Sequence, residues 1–375
     1  MKNIMSESLQ KKIKIAYILP QLSGGGAERM VIDLATHLPA SLYLVFVITL
    51  KDAATPVWEE ELTQANVQVV KLHKKFKLDI FCIWRLIQWL KINRPDILHT
   101  HLFGGDFYGR LAGHLARVPH IIGTEHNINR AEGRLRRWLK RLTAPWAEKI
   151  IAVSGTVLDY VERYEGVTSS QAMVIYNGVP LEKFRPSYFI ANDSWPCDIK
   201  KIVVGGLGRL EYQKNWPCLI RAATKLPNNV IIKIAGVGRE MKKLQRLICS
   251  LGLEQRVELV DWQASVKFLS QLDIFVLPSW WEGLPISLLE AGAVGLPVIV
   301  ADIPSNREIV RDTTLGLWFD PHSPEELAEK LKLLINEPAM ARRMAINLHQ
   351  VIERQFSSDL MRQRYQEVYE SLLNN

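Results

Sequence analysis

Short, almost uninterrupted apolar runs alternate along this chain with longer segments whose apolar residues return every three or four positions, and the alternation occurs twice over. KIKIAYIL (12–19) is rich in β-branched residues and stops at Pro20, which predicts a strand covered on both faces. A glycine cluster follows, then 27–38 with apolar residues at helical spacing. LYLVFVITL (42–50) and VQVVKL (67–72) read as the next strands, and a helix over 78–92 leads through Pro95 to DILHTH (96–101). HIIGT (120–124), KIIAVS (149–154) and AMVIYN (172–177) complete the first set. After a polar, proline-containing stretch at 185–196 the rhythm restarts with KIVVGGL (201–207), VIIKIAG (230–236), RVELV (256–260), DIFVLP (273–278) and LPVIVA (296–301). An amphipathic helix over 357–373 closes the chain. Strand, loop and helix in this order predict the α/β class, with two doubly wound domains and a cleft between them. Ligands of such sheets bind outside the carboxyl ends of the strands, so the loops there are the places to look for chemistry.

The length of 375 residues suits two domains, and 48% hydrophobic with 23% charged residues is ordinary for a soluble globular protein. Disordered, collagen-like and disulfide-scaffold classes are excluded. Cys82, Cys197, Cys218 and Cys249 include no close pair, so neither a zinc ribbon nor a redox CxxC is available, and a reducing, cytoplasmic setting is expected. MKNIMSESLQKK at the N-terminus lacks the apolar stretch of a signal peptide, and the longest apolar run, 42–50, is too short to cross a bilayer. The expectation is a protein not integral to a membrane. Net charge is +8, and residues 1–180 hold 23 Lys and Arg against 16 Asp and Glu, so nearly all the excess lies in the first half. That half should face something anionic: nucleic acid, a phospholipid surface or a phosphorylated substrate.

Three loops carry candidate chemistry. Ser23-Gly24-Gly25-Gly26-Ala27-Glu28-Arg29 opens a helix directly after the first strand, where glycines let an anion approach backbone N–H groups. No GK[ST] follows, so it is not a Walker A loop, and it matches GxGxxG poorly, which disfavours a dinucleotide oxidoreductase. The second loop, GLGRLEYQKN (206–215), places Arg209 and Lys214 after a strand end, where they could clamp a pyrophosphate or simply be solvated surface charges. In the third, WWEGLPISLLEA (280–291), Glu282 precedes a helix expected to begin at Pro285 and Glu290 lies inside it. A carboxylate among Ile, Leu, Ala and Gly is costly to bury unless hydrogen-bonded; sugar hydroxyls or backbone N–H groups would satisfy it. Of nine histidines, His99 and His101 end one strand and His126 follows the next, without the acidic spacing of a zinc site, so no metal is expected.

Taken in order, GGGAER, GRLEYQKN, EGLPISLLE with its Glu-x7-Glu spacing and AGAVGLPVIVAD resemble the retaining, GT-B-fold glycosyltransferases of family 4, the relatives of glycogen synthase and bacterial polysaccharide transferases. YNGVPLEKF (176–184) and LGLWFDPHSPEELAEKL (315–331) are similar to further landmarks of that family, and the resemblance runs from about residue 13 to the C-terminus. It implies two Rossmann-like domains facing each other across the cleft. Residues 1–182 would bind acceptor and 183–355 the nucleotide sugar, with a helix over 356–375 crossing back to the first domain.

The resemblance also implies roles. Arg209 and Lys214 would neutralise the donor diphosphate, Glu290 would hold the nucleotide ribose, and Glu282 would lie near the transferred sugar. The backbone of Gly283, Leu284 and Pro285 would cap sugar and phosphate, Gly24 and Gly25 would close over the diphosphate, and His126 would adjoin the transferred sugar. His126, Glu282, Arg209 and Lys214 are thus the catalytic candidates, with His101 and Asn177 as acceptor-side or secondary residues. The chain departs from the family pattern at Ile303-Pro304-Ser305-Asn306, where a Gly-Gly pair is usual, and at Asp261-Trp262.

The implied reaction moves a hexose or N-acetylhexosamine from a nucleotide-diphosphate sugar, UDP first, to a saccharide or lipid-linked acceptor in surface polysaccharide or glycolipid synthesis. It needs no cofactor and no metal. Retention would follow from front-face attack or, with Glu282 as covalent nucleophile, from double displacement. The basic half offers a further partner. In the segment from Arg130 to Trp146, Leu135, Trp138, Leu139 and Leu142 share one helical face, with Arg134, Arg137 and Arg141 on another. Lys74, Lys75, Lys77, Trp84 and Trp89 form a second basic and aromatic group. Such helices suit an anionic membrane surface, which predicts a peripheral position on the inner face of the cytoplasmic membrane; the alternative is an apolar stripe that packs on its own sheet. No nucleic-acid-binding pattern is present. A GT-B epimerase or phosphorylase, and a catalytically silent GT-B-like assembly protein, are the competing readings.

Overall fold

The computed structural model describes residues 12–52, 56–76, 78–128, 133–184, 201–261 and 264–374. The stretch at 185–196, together with Lys77, Arg130, Cys197 and Trp262, lies outside the described residues. The chain divides into two compact units, Met1–Val153 with Val157–Ile175 and Arg362–Asn375, and Ser154–Thr156 with Tyr176–Met361.

In the first unit, seven parallel strands form one sheet. They are β1 (Ile13–Leu19), β2 (Tyr43–Thr49), β3 (Gln68–Lys71), β4 (Ile97–His101), β5 (His120–Glu125), β6 (Lys149–Ala152) and β7 (Ala172–Val174), in the order β3-β2-β1-β4-β5-β6-β7. Helices α1 (Gly26–His37), α2 (Pro56–Gln64), α3 (Ile80–Asn93), α4 (Leu102–Ala116), α5 (Arg134–Thr143) and α6 (Gly155–Glu165) connect them. Parallel strands need covering on both faces, and β1, β2 and β4 supply Ala16, Ile18, Phe46, Ile48 and Leu98 to a core completed by Leu86 and Leu90 of α3. Helix α2 buries only Leu62, so its sequence carries no apolar stripe to announce it.

The second unit repeats the plan. Strands β8 (Ile202–Leu207), β9 (Val230–Ala235), β10 (Val257–Val260), β11 (Ile274–Leu277), β12 (Val298–Ala301) and β13 (Leu317–Phe319) are parallel and lie in the order β10-β9-β8-β11-β12-β13. The helices are α7 (Trp216–Ala223), α8 (Met241–Ser250), α9 (Ser265–Leu269), α10 (Ile286–Val294), α11 (Pro304–Arg307), α12 (Pro324–Asn336) and α13 (Pro338–Gln355). Strand β13 has three residues, too few for a visible apolar run. Each sheet reverses its winding beside its first strand, between β1 and β4 and between β8 and β11, which creates the crevice where doubly wound sheets bind ligands.

Helix α14 (Ser358–Leu373) ends the chain, and from Arg362 onward it belongs to the first unit. Its Tyr365 and Tyr369 are fully buried there. Tyr369 Oη lies 3.0 Å from Tyr17 Oη, Tyr365 Oη lies 3.2 Å from Thr124 Oγ1, and Arg362 donates to Asp33 at 2.9 Å.

A buried ionic network locks α5 and α6 to the same sheet. Lys140 Nζ donates to Glu125 and to Glu165, each at 2.8 Å, while Arg110 reaches Asp106 at 3.1 Å and Glu125 at 3.5 Å. Burial would raise the Glu125 carboxyl, yet Lys140 and Arg110 outweigh it and hold the group down to about 2. Burial, and then the Glu125 charge, push Glu165 up to about 8, so three acids share two bases without accumulating negative charge. Removing one partner of a buried pair leaves an uncompensated charge. Lys140→Met is therefore expected to lower the unfolding free energy by about 3–5 kcal/mol in urea titration, with part recovered by adding Glu125→Gln.

Candidate active site

In the second unit the chain leaves β8 at Leu207 and makes a tight loop against the end of β9. A Cβ on Gly236 would sit 2.0 Å from the Gly208 carbonyl oxygen, so this approach requires glycine. Trp216 Nε1 donates to the Arg209 carbonyl at 3.0 Å and pins the loop from below. A 3-10 turn over Tyr212–Lys214 then points Lys214 at the loop after β11. Lys214 Nζ and Glu282 Oε1 are 2.7 Å apart, Ser279 Oγ donates to the same oxygen at 2.5 Å, and Gln213 Nε2 reaches Oε2 at 3.5 Å. Gln213 also donates to the Trp281 carbonyl at 2.8 Å and accepts from Arg209 at 3.3 Å, while the Arg209 side chain is otherwise open to solvent.

Three predicted residues, Arg209, Lys214 and Glu282, are thus one group, and two of its members escaped sequence reasoning. Gln213 sits between the two cations in YQKN, and Ser279 lies three residues before Glu282; neither type stands out in a loop. Gly283, Leu284 and Pro285 follow on the same buried segment, and Pro285 is the N-cap of α10. Glu290 is held separately, on α10, where Ser265 Oγ donates to it at 2.9 Å. Burial pushes its carboxyl up to about 7 despite that bond. Asn177 is buried in this unit, and among the described residues no donor meets its Oδ1. Ile303 to Asn306 enter the short helix α11, where Asn306 Nδ2 donates to the Ala301 carbonyl at 2.8 Å in place of a glycine turn.

In the first unit, Gly24 has φ +97°, and Gly25 caps α1. Glu28 folds back to accept from Ser23 N at 2.9 Å, Ser23 Oγ at 2.7 Å and Gly25 N at 2.8 Å. The GGGAER glutamate is therefore the lock of its own loop, and it occupies the Gly25 amide. At the ends of β4 and β5, His101 Nδ1 meets His126 Nε2 at 3.0 Å. His99 is tied to Tyr369 Oη at 2.9 Å and Thr124 Oγ1 at 2.8 Å. Burial lowers all three imidazoles, His126 to about 4, and they are neutral at pH 7.

The basic helix departs from one expectation. Three of the four residues of its apolar stripe, Leu135, Trp138 and Leu142, are exposed, Leu139 is half-buried, and the inward anchor is Lys140. Arg134, Arg136 and Arg141 are exposed beside them, with Arg136 over the Phe103 ring at 5.0 Å. In the second group Trp84 is exposed together with Phe76, Ile80 and Phe81, but Trp89 packs edge-on against Phe46 at 5.0 Å and belongs to the core. Among the described residues no helix is long and apolar enough to cross a membrane.

Two parallel doubly wound sheets, each with its charged or polar loops at the reversal of strand order, define the GT-B class, and solved structures agree. Over 96% of this chain and 100% of theirs, Anabaena Alr3699/HepE in complex with UDP and glucose superposes with TM-score 0.84 at 22% identity. The lipopolysaccharide outer core galactosyltransferase WaaB superposes with TM-score 0.72 at 20% identity, over 96% of this chain and 99% of that one. Residues 24–183 match the model of Glycosyltransferase Family 4 and residues 192–351 that of Glycosyl transferases group 1, and the chain belongs to this glycosyltransferase family. Among curated relatives, it is 28% identical over 84% of its length, and 86% of theirs, to the Escherichia coli UDP-Gal:alpha-D-GlcNAc-diphosphoundecaprenol alpha-1,3-galactosyltransferase. It is 25% identical over 87% of its length, and 88% of theirs, to the Campylobacter jejuni N,N'-diacetylbacillosaminyl-diphospho-undecaprenol alpha-1,3-N-acetylgalactosaminyltransferase.

The raised Glu290 carboxyl has a signed consequence. Its native form keeps a proton that the unfolded form, with an ordinary carboxylate value, has lost, so it favours the fold below the ordinary value and loses that contribution as pH rises through 7. Between about pH 5 and about pH 8 the melting temperature of the wild type is expected to fall relative to that of Glu290→Gln, as calorimetry at several pH values would show.

Proposed function

We propose that the protein is a retaining transferase that moves a hexose or N-acetylhexosamine from a UDP-sugar to a lipid-linked saccharide in surface polysaccharide synthesis. The Arg209–Gln213–Lys214–Glu282 group at the switch point of the second sheet carries this reading. Departure of a nucleoside diphosphate builds negative charge on its oxygens, and cations fixed before the reaction lower that barrier most effectively. Arg209 and Lys214 supply the countercharge, so the reaction proceeds without a metal ion. Lys214 rests on Glu282 until a diphosphate competes for it. Glu290 accepts the ribose hydroxyls, the Gly283–Pro285 backbone caps the sugar, and Gly24 and Gly25 serve the diphosphate by the close approach their missing side chains allow, since Glu28 holds the Gly25 amide. His126 serves the transferred sugar, and His101 and Asn177 have secondary roles.

Glu282 Oε1 already accepts from both Lys214 and Ser279, which blunts it as a nucleophile and favours front-face attack through an oxocarbenium-like state. UDP follows from the name of the Escherichia coli relative, and the lipid-linked acceptor from the names of both curated relatives, transferases acting on diphospho-undecaprenol saccharides. A thermal-shift panel of UDP, GDP, ADP and their sugars without added metal tests the donor site. A selective rise with UDP, lost in Arg209→Ala, is expected, and no shift at millimolar concentrations would sink the reading. Incubating UDP-galactose, UDP-glucose and their N-acetyl counterparts with GlcNAc-diphosphoundecaprenol then reads out transfer; a free epimer or sugar phosphate as the only product would favour the epimerase or phosphorylase instead.

The acceptor's lipid gives the exposed basic and aromatic surface a use. Trp84 and Trp138 are 59% and 58% exposed, and the exposed Arg134 and Arg141, four residues before and three after Trp138, share its helix face. Aromatic side chains insert at the headgroup level, and each cation near an anionic surface adds about 1 kcal/mol. The protein then works at the inner face of the cytoplasmic membrane. Sedimentation with vesicles containing phosphatidylglycerol is expected, and Trp84→Ser/Trp138→Ser should weaken it several-fold; equal binding to neutral vesicles would contradict the idea.

A further inference from the structure

The other ring nitrogens of the histidine pair, His101 Nε2 and His126 Nδ1, are buried without a hydrogen-bond partner among the described residues. His101 is fully buried, with its ring 4.1 Å from His99 and 5.9 Å from Tyr17 between centroids. The next residue, Leu102, has φ +62°, a left-handed conformation that costs a branched side chain free energy. His101 itself keeps an extended backbone as the N-cap of α4, and its ring is held by burial and by the contact with His126. Around the pair stand Glu125 and Lys140, whose opposite charges offset each other at His126, and the neutral His99.

A neutral imidazole carries one N–H, and a 3.0 Å contact between two neutral rings accommodates one hydrogen. If His101 Nδ1 donates, His126 Nε2 is bare and His126 carries its proton on Nδ1. If His126 Nε2 donates, His101 Nδ1 is bare and His101 carries its proton on Nε2. The rings must therefore share a tautomer, both Nδ1–H or both Nε2–H, because a mixed pair would oppose two hydrogens or two lone pairs.

We propose that His101 is a positioning residue that couples the tautomer of His126 to its own, so that His126 Nδ1, the atom His126 offers to the transferred sugar, changes its hydrogen-bonding sense only together with His101. A sugar hydroxyl that donates to Nδ1 selects Nε2–H on both rings, and one that accepts selects Nδ1–H on both. Preference between sugars is then set partly by a residue that touches none of them. The inference rests on His126 serving the sugar, as proposed above.

Long-range proton–nitrogen spectra of the full-length protein, labelled with 15N-histidine and recorded near neutral pH, test it. Resonances are assigned by their loss in His101→Asn and His126→Asn. The expected wild-type spectrum shows the two rings in the same tautomer; opposite tautomers would overturn the inference without recourse to any variant. In His101→Phe, His126 is expected to average between tautomers, and kcat for the UDP-sugar selected by the panel should fall about tenfold with KM changed less than about threefold. His101→Asn, which places an amide where Nδ1 was, should restore most of kcat. Unchanged tautomer and turnover in His101→Phe, when His126→Ala is inactive, would overturn the positioning role alone. Unchanged turnover in His126→Ala would overturn the reading of His126 itself.

Discussion

Parallel strand pairing is the constraint on which the rest of the molecule depends. A parallel strand is bonded on both sides and must be covered on both faces, so each connection returns by a helix to the same starting edge. Every strand-to-helix loop then emerges at one edge of its sheet. In the second unit this brings the ends of β8 and β11, neighbours in the sheet but separated by two further strands in sequence, to the same place. Lys214 and Glu282, 68 residues apart, become an ion pair for that reason alone. In the first unit the adjacency of β4 and β5 does the same for His101 and His126.

The two units treat buried polar groups differently. Beneath α5 the first unit buries full charges, and Lys140 is tolerable there because two carboxylates meet it at 2.8 Å. A few residues away, the imidazoles of His99, His101 and His126 are buried neutral, where burial works against protonation. Protonating them is easier in the unfolded chain, so acid below the ordinary histidine range favours unfolding. The neutral cluster and the ionic network share β5 and the residue after it: Thr124 and His126 face the histidines while Glu125 between them faces Lys140. That alternation is the pleat of a strand, in which neighbouring side chains point to opposite faces.

Most of this architecture was legible in the residues. Runs such as Tyr43–Thr49 and Val230–Ala235 fell where β-branched continuity placed them, and the cations of GRLEYQKN with the acids of EGLPISLLE marked the loops that came together. What was hidden shares a physical cause. Strand β13 and helix α2 bury too few side chains to imprint a period. Lys140 does not stand out in the sequence, because nothing in RLRRWLKRLT says which position finds two carboxylates from β5 and α6. Its capture turned that helix so that Leu135, Trp138 and Leu142 point outward. Glu28 was likewise invisible as the lock of its loop, since capping depends on a local backbone turn rather than on spacing alone.

If a diphosphate binds here as proposed, the resting contacts of Lys214 decide what it must do on entry. Were Lys214 unpaired and largely buried, the empty site would carry an uncompensated charge; pairing with Glu282 removes that cost. When phosphate oxygens draw the ammonium away, Glu282 does not become an orphan, because Ser279 Oγ and Gln213 Nε2 still face its two oxygens. The ion pair is exchanged rather than lost, and the free energy of binding is not consumed in stranding a carboxylate. Arg209, bonded among the described residues to Gln213 at 3.3 Å and otherwise solvated, has no ion pair there to leave, so on the proposed reading it would meet the anion first and Lys214 would follow. Gln213 touches both cations' neighbourhoods at once, which makes it the side chain that couples the two steps.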